Sequence, residues 1–113
     1  MLDAGLTVAL SSDAPVVEND NPLAGMTAAI LRRDRSGELL LPAQGITAAE
    51  ALDAYTRGGA VAVGLEHRLG TLQRGAWADI AVLSGNPLTT PPEALADLSV
   101  EMTLLAGQVV YER

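Results

Sequence analysis

The stretch Thr7-Val8-Ala9-Leu10-Ser11-Ser12-Asp13-Ala14-Pro15 decides the fold, because an apolar run stops abruptly there at a carboxylate. Aliphatic and β-branched residues without a polar interruption predict a strand, Thr7 to Ser11, buried on both faces as in a parallel sheet. Pro15 biases Ala14 away from helical angles, which places Asp13 at the carboxyl end of the strand, where α/β proteins hold their catalytic residues. Asp13 is therefore the candidate for chemistry. The alternative is that it only caps a turn by bonding a backbone N–H two residues on.

The composition is that of one apolar, acidic domain without lysine or cysteine. The 113 residues are 49% hydrophobic, which is ample for a buried core, and the net charge of −7 opposes nucleic acid and anionic membrane as partners. The missing lysine excludes Schiff-base chemistry and a carbamylated-lysine metal bridge, and the missing cysteine excludes disulfides and thiolate sites. No signal-peptide layout and no long apolar run are present, so we expect a cytoplasmic protein.

The first third of the chain predicts a helix end, a loop and a second helix. Met1 to Gly5 is typical of the last turn of a helix, which favours a start partway through a larger α/β unit. Asn21-Pro22 predicts the cap and first turn of a helix to Arg33. The arginines of Arg32-Arg33-Asp34-Arg35 are expected at its solvated end. The three leucines of Leu39-Leu40-Leu41 are expected beneath neighbouring structure.

Thr47 and Glu50 have the spacing of a capping box, which predicts a helix from there to about Arg57. Gly58-Gly59 are expected to break this helix before a second short one, Ala60 to Val63. Beyond it, alternating short apolar runs and glycines predict a small antiparallel sheet. The strands expected in that sheet are Leu69–Gly75, Ala78–Leu83, Ser99–Leu105 and Gln108–Tyr111, with a two-residue hairpin at Ala106-Gly107.

Taken together, these landmarks resemble one family, the metal-dependent amidohydrolases, and within it amidohydrolase family 3 and its branch of N-substituted formamide deformylase-like enzymes. The motifs that carry the resemblance, in chain order, are Ser12-Asp13-Ala14-Pro15-Val16, Asn21-Pro22-Leu23 with Gly25, Ile46-Thr47 with Glu50-Ala51, Ala54-Tyr55-Thr56, Gly70-Thr71-Leu72 with Gly75, Ala78-Asp79-Ile80, and Gly107 before Val109-Val110-Tyr111. The ordered set covers nearly the whole chain, although no single motif is specific.

The resemblance implies a C-terminal fragment with an α/β fold. Residues 1–63 would be the last strand and following helices of a (β/α)8 barrel, and residues 64–113 a small antiparallel β-sheet domain of composite β-sandwich type. A barrel needs about 250 residues, so this chain cannot hold one. Of the metal ligands that the family carries after its barrel strands, only the aspartate after the eighth has a counterpart here, Asp13.

The resemblance also implies the chemistry of that carboxylate. A divalent metal ion, of which zinc is the expected one, lowers the pKa of bound water. The adjacent carboxylate takes the proton during attack and returns it to the leaving amine. Asp13 is therefore expected to be both a metal ligand and the catalytic base in the full-length parent, and this chain alone is expected to bind no cofactor tightly.

Other polar residues receive lesser roles. His67, the only histidine, is expected at the surface or near a site, because one imidazole cannot make a metal centre. Glu18, Asn19 and Asp20 follow Asp13 and are weighed as substrate contacts against the alternative of a solvated loop. Asp79 is expected to form local hydrogen bonds at a strand start. Trp77 and Tyr111 are expected to pack against the small sheet.

The leading hypothesis is the C-terminal part of a hydrolase that acts on non-peptide C–N bonds of a small amide-type substrate, inactive as an isolated chain. The rival is a non-catalytic truncated fragment or isolated domain that folds as a self-associating α/β module. The isolated chain is expected to form a homo-oligomer, with a dimer as the simplest form, because the apolar strand Thr7 to Ser11 would be left without the neighbours it has in the parent.

Overall fold

The computed structural model describes residues 1–34 and 36–113. This part of the chain contains the helices α1 (Pro22–Leu31), α2 (Ala48–Tyr55) and α3 (Arg57–Ala62) and the strands β1 (Ile80–Leu83), β2 (Val100–Leu105) and β3 (Gln108–Glu112). Short 3₁₀ helices lie at Leu2–Ala4, Pro42–Gln44 and Pro92–Asp97. The helices together with a small antiparallel sheet are consistent with the predicted α/β class, and the barrel portion of that prediction stays a prediction.

Helix α1 begins as the sequence predicts and ends two residues early. The side chain of Asn21 accepts a hydrogen bond from the Leu23 N–H at 2.9 Å, and Pro22 occupies the first turn. Arg32 takes a left-handed conformation with φ of 53°, and this conformation ends the helix before Arg33. The predicted basic helix end includes Arg35, which lies outside the described residues.

The expectation that the three leucines after α1 are covered is wrong. Leu39, Leu40 and Leu41 are 48%, 50% and 70% exposed. The loop closes on itself instead, since the Leu40 N–H donates to the Arg32 carbonyl at 2.7 Å and the Asp34 N–H to the Glu38 carbonyl at 3.0 Å. These local hydrogen bonds hold the segment as a surface loop.

The capping box of Thr47 and Glu50 is present at the start of α2. The predicted break at Gly58-Gly59 is wrong, because α2 ends at Tyr55 and both glycines lie inside α3. Gly58 serves close packing instead of a turn. A Cβ there would lie 2.1 Å from the Val8 carbonyl oxygen.

The apolar segment Thr7 to Ser11 is extended but forms no strand, so the prediction of a two-sided, buried strand is wrong for this chain. Val8 and Leu10 are half-buried against the helices, whereas Thr7, Ala9 and Ser11 are exposed. The Leu10 N–H donates to the Ala54 carbonyl at the end of α2, at 3.2 Å. Within the described residues no parallel strand lies beside this segment. The Leu10 N–H therefore donates to a carbonyl at the end of a helix instead of to a neighbouring strand.

The antiparallel sheet has the strand order β1-β2-β3, and β2 and β3 are joined by the predicted hairpin at Ala106-Gly107. Both turn residues have positive φ, 49° and 81°, as a two-residue hairpin of this kind requires. The predicted strand Leu69–Gly75 is wrong, because that segment forms turns. Gly70 has φ of 82° and packs directly on the backbone of Arg57, which a regular strand could not do.

The core joins elements from both halves of the chain. Leu23 and Met26 of α1, Ala51 of α2 and Leu95 of the 3₁₀ helix Pro92–Asp97 form one buried cluster. The Thr27 hydroxyl adds a 3.0 Å hydrogen bond to the Pro92 carbonyl. The helices and the chain leading into β2 therefore share one core, and the division into residues 1–63 and 64–113 stays a prediction.

Candidate functional site

Asp13 lies in a tight turn directly after the extended segment. Its backbone φ is 56°, a left-handed conformation that is rare outside glycine and, among other residues, best tolerated by Asp and Asn. Such conformations concentrate at functional sites, where the surrounding structure holds them in place. The side chain of Asp13 is exposed.

Two serine hydroxyls hold this turn. The Asp13 N–H donates to Ser11 Oγ at 3.1 Å, and the Ala14 N–H donates to Ser12 Oγ at 3.3 Å. The Asp13 carbonyl accepts from the Val16 N–H at 2.8 Å. Within the described residues the Asp13 carboxylate accepts no hydrogen bond. The turn is therefore held by backbone and serine groups, and not by the Asp13 side chain as the turn-capping alternative expected. Its oxygens are free to bind a ligand.

An open cleft with about 410 Å³ of space lies beside the turn. It is bounded by the extended segment, the loop after Asp13, α1 and the end of α2, with the lining residues Ser11, Ser12, Val17, Glu18, Asn19, Asn21, Ala24, Gly25, Ala28 and Tyr55. The two serines that hold the Asp13 turn thus also face the cleft. A molecule bound in the cleft would lie next to the Asp13 turn.

The loop after Asp13 contributes only part of its polar residues to this cleft. Glu18 and Asn19 line it, whereas Asp20 does not. Asn19 Oδ1 also accepts from the Asn21 N–H at 3.0 Å, which steadies the entry into α1. The structure therefore places two of the three weighed substrate contacts on the cleft.

Tyr55 lines the cleft, whereas the sequence alone predicted only a packing role for its side chain. Its hydroxyl lies against Gly25, where a Cβ would come within 1.9 Å of it. Burial raises the pKa of the Tyr55 phenol above its ordinary value of 10. A signal was available in the sequence: a glycine inside a helix costs about 1 kcal/mol relative to alanine, so Gly25 indicates a close approach by another group.

The remaining candidates lie away from the cleft. The His67 side chain is 88% exposed, 3.7 Å from Glu66 Oε1. Asp79, just before β1, forms a long-range hydrogen bond instead of the local one expected: its Oδ1 accepts from the Ala106 N–H in the β2–β3 hairpin at 2.7 Å. The Trp77 ring contacts the Arg68 guanidinium, 5.7 Å from the ring centroid, and Tyr111 is half exposed on β3.

Among the described residues, Asp13 is the candidate for one position of a metal site. In the described part of the chain, no three His, Cys, Asp or Glu side chains come together in an arrangement that could hold a metal ion. Asp13 has the chemistry of a single oxygen ligand, and its carboxylate is accessible. A complete centre would need further ligands, which these residues do not supply.

The sequence and fold of this chain match a known class of hydrolases. The profile described as amidohydrolase family matches residues 1–111, so the chain belongs to the amidohydrolase family. Family members are generally metal-dependent and hydrolyse C–N bonds. Among the described residues, no helix is long and apolar enough to cross a membrane.

Individual relatives agree with this assignment. The putative amidohydrolase YtcJ of Bacillus subtilis is 34% identical over 100% of this chain, and the N-substituted formamide deformylase of Arthrobacter pascens is 36% identical over 100%. A solved amidohydrolase from Thermotoga maritima superposes with a TM-score of 0.74 at 26% identity over 99% of this chain. A triazine hydrolase variant gives a TM-score of 0.71 at 30% identity over 98%.

The chain corresponds to a small part of each of these proteins. It spans 22% and 21% of the length of the two sequence relatives and 24% and 26% of the two structures.

Proposed function

We propose that this chain is the C-terminal portion of a metal-dependent amidohydrolase that hydrolyses a non-peptide C–N bond of a small amide-type substrate. In this proposal Asp13 is a metal ligand and the catalytic base. The observation that carries the proposal is the Asp13 turn: Ser11 and Ser12 hold its backbone beside a cleft that they line, and the Asp13 carboxylate is exposed next to that cleft without lining it. The extended segment before Asp13 would be the last barrel strand.

The role of Asp13 follows from what a carboxylate can do in that position. Its short side chain on a hydrogen-bonded turn holds an oxygen in a fixed place, which suits a group that must accept a proton from water and pass it to the leaving nitrogen. A bound divalent ion, which we propose is zinc, would supply the acidified water. The remaining ligands would come from parts of a longer polypeptide, so this chain alone would be inactive. The location that we propose is the cytoplasm.

The first test is the coding sequence upstream in the same reading frame. The proposal expects a His-x-His motif followed by two later histidines. The absence of these ligands would exclude the hydrolase assignment and leave the non-catalytic module.

The second test is the variant Asp13→Asn in the longer enzyme, assayed for amide hydrolysis at saturating substrate. The amide side chain cannot accept the proton, so kcat should fall about 10²–10⁴-fold with the fold retained. Asp53→Asn, an exposed change on the surface of α2, is the matched control and should leave kcat unchanged. A loss below about tenfold for Asp13→Asn would refute the role of Asp13 as the base.

The second candidate function is a self-associating α/β module without catalysis. The observation that favours it is the extended segment Thr7 to Ser11, whose outer side is exposed in this chain. Such a segment attracts a further strand, because its backbone groups are left without partners. Under this candidate the chain is a homo-oligomer.

A further inference from the structure

The two peptide groups that flank Asp13 are not held equally. The peptide before Asp13 is held through its N–H, which donates to Ser11 Oγ at 3.1 Å. The peptide after Asp13 is held at both ends. Its N–H, that of Ala14, donates to Ser12 Oγ at 3.3 Å, and its carbonyl accepts from the Val16 N–H at 2.8 Å. Within the described residues the first peptide therefore depends on one side chain, whereas the second has two separate contacts.

These two peptides set the direction of the Asp13 side chain. The Cα–Cβ bond is fixed relative to the two flanking peptide planes, so a rotation of either plane swings the carboxylate. The φ of Asp13 is 56°, in a sparsely populated region that a residue keeps only where its surroundings hold it there. A displaced carboxylate matters for a base, because proton transfer needs an approach within hydrogen-bond distance.

We infer that Ser11 is a positioning residue for Asp13: its hydroxyl, acting through the Asp13 N–H, keeps the carboxylate in place for proton transfer. This inference rests on the proposed function and deepens it, because it adds a residue that acts through the base. Ser11 also lines the cleft, so the rival role is a direct contact with substrate. The two roles differ in kinetics, since a uniform substrate contact changes KM whereas a misplaced base changes kcat.

The first test is a set of variants at position 11 of the longer enzyme. Ser11→Ala removes the hydroxyl and should lower kcat about tenfold with KM unchanged. Ser11→Thr keeps the hydroxyl and should retain kcat, because the side chain is exposed and an added methyl group finds room. Ser11→Val has the shape of the threonine variant without its hydroxyl and should lose as much as Ser11→Ala. The control is Ser36→Ala in the loop after α1, where the hydroxyl bonds Asp34 instead, and it should leave kcat unchanged.

The second test separates positioning from a purely structural role. Ser12→Ala should cost less than Ser11→Ala, because the Val16 N–H still holds the peptide after Asp13. In an enzyme that already carries Asp13→Asn, Ser11→Ala should lower the residual kcat by less than about twofold, since no base is left to position. Structural damage would lower kcat by the same factor in both backgrounds.

Amide hydrogen exchange tests the same contact in this chain. The Asp13 amide should exchange faster in Ser11→Ala and Ser11→Val than in wild type and Ser11→Thr.

Four results would overturn the inference: a kcat for Ser11→Ala above about half that of wild type, a change confined to KM, an equal loss in the Asp13→Asn background, or a larger loss in Ser12→Ala. With Asp13→Asn impaired, each of these results would leave the hydrolase proposal standing. A wild-type kcat in Asp13→Asn would instead refute the proposed function itself.

Discussion

Replacing Gly58 with alanine should destabilise this protein, although alanine is the better helix former. Gly58 lies inside α3 where the backbone of Val8 and Ala9 crosses the helix. A Cβ added there would lie 2.1 Å from the Val8 carbonyl oxygen, 3.0 Å from the Val8 carbonyl carbon and 3.3 Å from the Ala9 Cα. The contact is with backbone, so no side-chain rotation can relieve it.

The magnitude follows from what must move. Ordinary contacts of this kind are about 3.5 Å, so the extended segment must retreat by more than about 1 Å. That movement stretches the 3.2 Å hydrogen bond from the Leu10 N–H to the Ala54 carbonyl, worth about 1 kcal/mol, and adds about 1–3 kcal/mol of overpacking. The helix preference for alanine returns about 1 kcal/mol. The net loss in the free energy of unfolding should be about 1–3 kcal/mol.

The neighbouring glycine supplies the control. Gly59 lies in the same helix, and a Cβ there would meet nothing within 4 Å. Gly59→Ala should therefore stabilise by about 0.5–1 kcal/mol. Chemical denaturation of both variants should give changes of opposite sign with the same dependence on denaturant. If the two variants unfold alike, Thr7 to Ser11 is not packed on α3, and the proposed position of the Asp13 turn loses its support.

Three further outcomes are expected. Gly25→Ala should cost up to about 2 kcal/mol, because the new Cβ meets the Tyr55 hydroxyl at a cost of about 1–3 kcal/mol while the helix preference of alanine returns about 1 kcal/mol. Tyr55→Leu in the same chain should recover part of that loss, which a double-mutant cycle measures. The backbone N–H of Thr47, and to a lesser degree its hydroxyl, hold the pKa of Glu50 below its ordinary value of 4.5. The stability that Glu50 contributes is therefore present above pH 4.5 and is lost as the pH falls through the lowered pKa. The stability difference between wild type and Glu50→Gln at neutral pH should therefore shrink as the pH falls below 4.5, and an unchanged difference in acid would contradict the capping contact. Calorimetry should show zinc binding no tighter than about millimolar, since Asp13 alone is a poor site, and a stoichiometric micromolar event would reveal ligands that the structure does not bring together.

Local signals predicted most of the fold. The caps of α1 and α2 depend on side chains that bond backbone groups two or three residues away, so Asn21 and the Thr47–Glu50 pair could be identified without tertiary information. The hairpin at Ala106-Gly107 was predictable for the same reason. The errors concern long-range partners. Thr7 to Ser11 has the composition of a buried strand, yet whether it becomes one depends on neighbours that no local pattern specifies.

The candidate site was likewise predictable from the sequence only in part. Asp13 could be singled out because proline and the end of an apolar run mark its position in the sequence. The cleft beside it could not, because Tyr55 and Gly25 are thirty residues apart in sequence and meet only through the packing of α1 on α2. The glycines were informative but ambiguous. Gly58 suggested a helix break, whereas its missing side chain serves the close approach of Val8.

The shared core bears on how the Asp13 turn is held. Leu95, which precedes β2, is fully buried among Leu23, Met26 and Ala51. The α1–α2 pair that forms one wall of the cleft is therefore stabilised by residues from the second half of the chain. Loss of the Leu95 contact, for example in Leu95→Ala, would open a cavity costing about 2–5 kcal/mol and loosen α1 against α2. The extended segment is tied to the end of α2 through Ala54, so the disturbance would reach Asp13 although Leu95 is not part of the cleft. The position of the carboxylate thus depends on packing contacts that Leu95, from the second half of the chain, makes with α1 and α2.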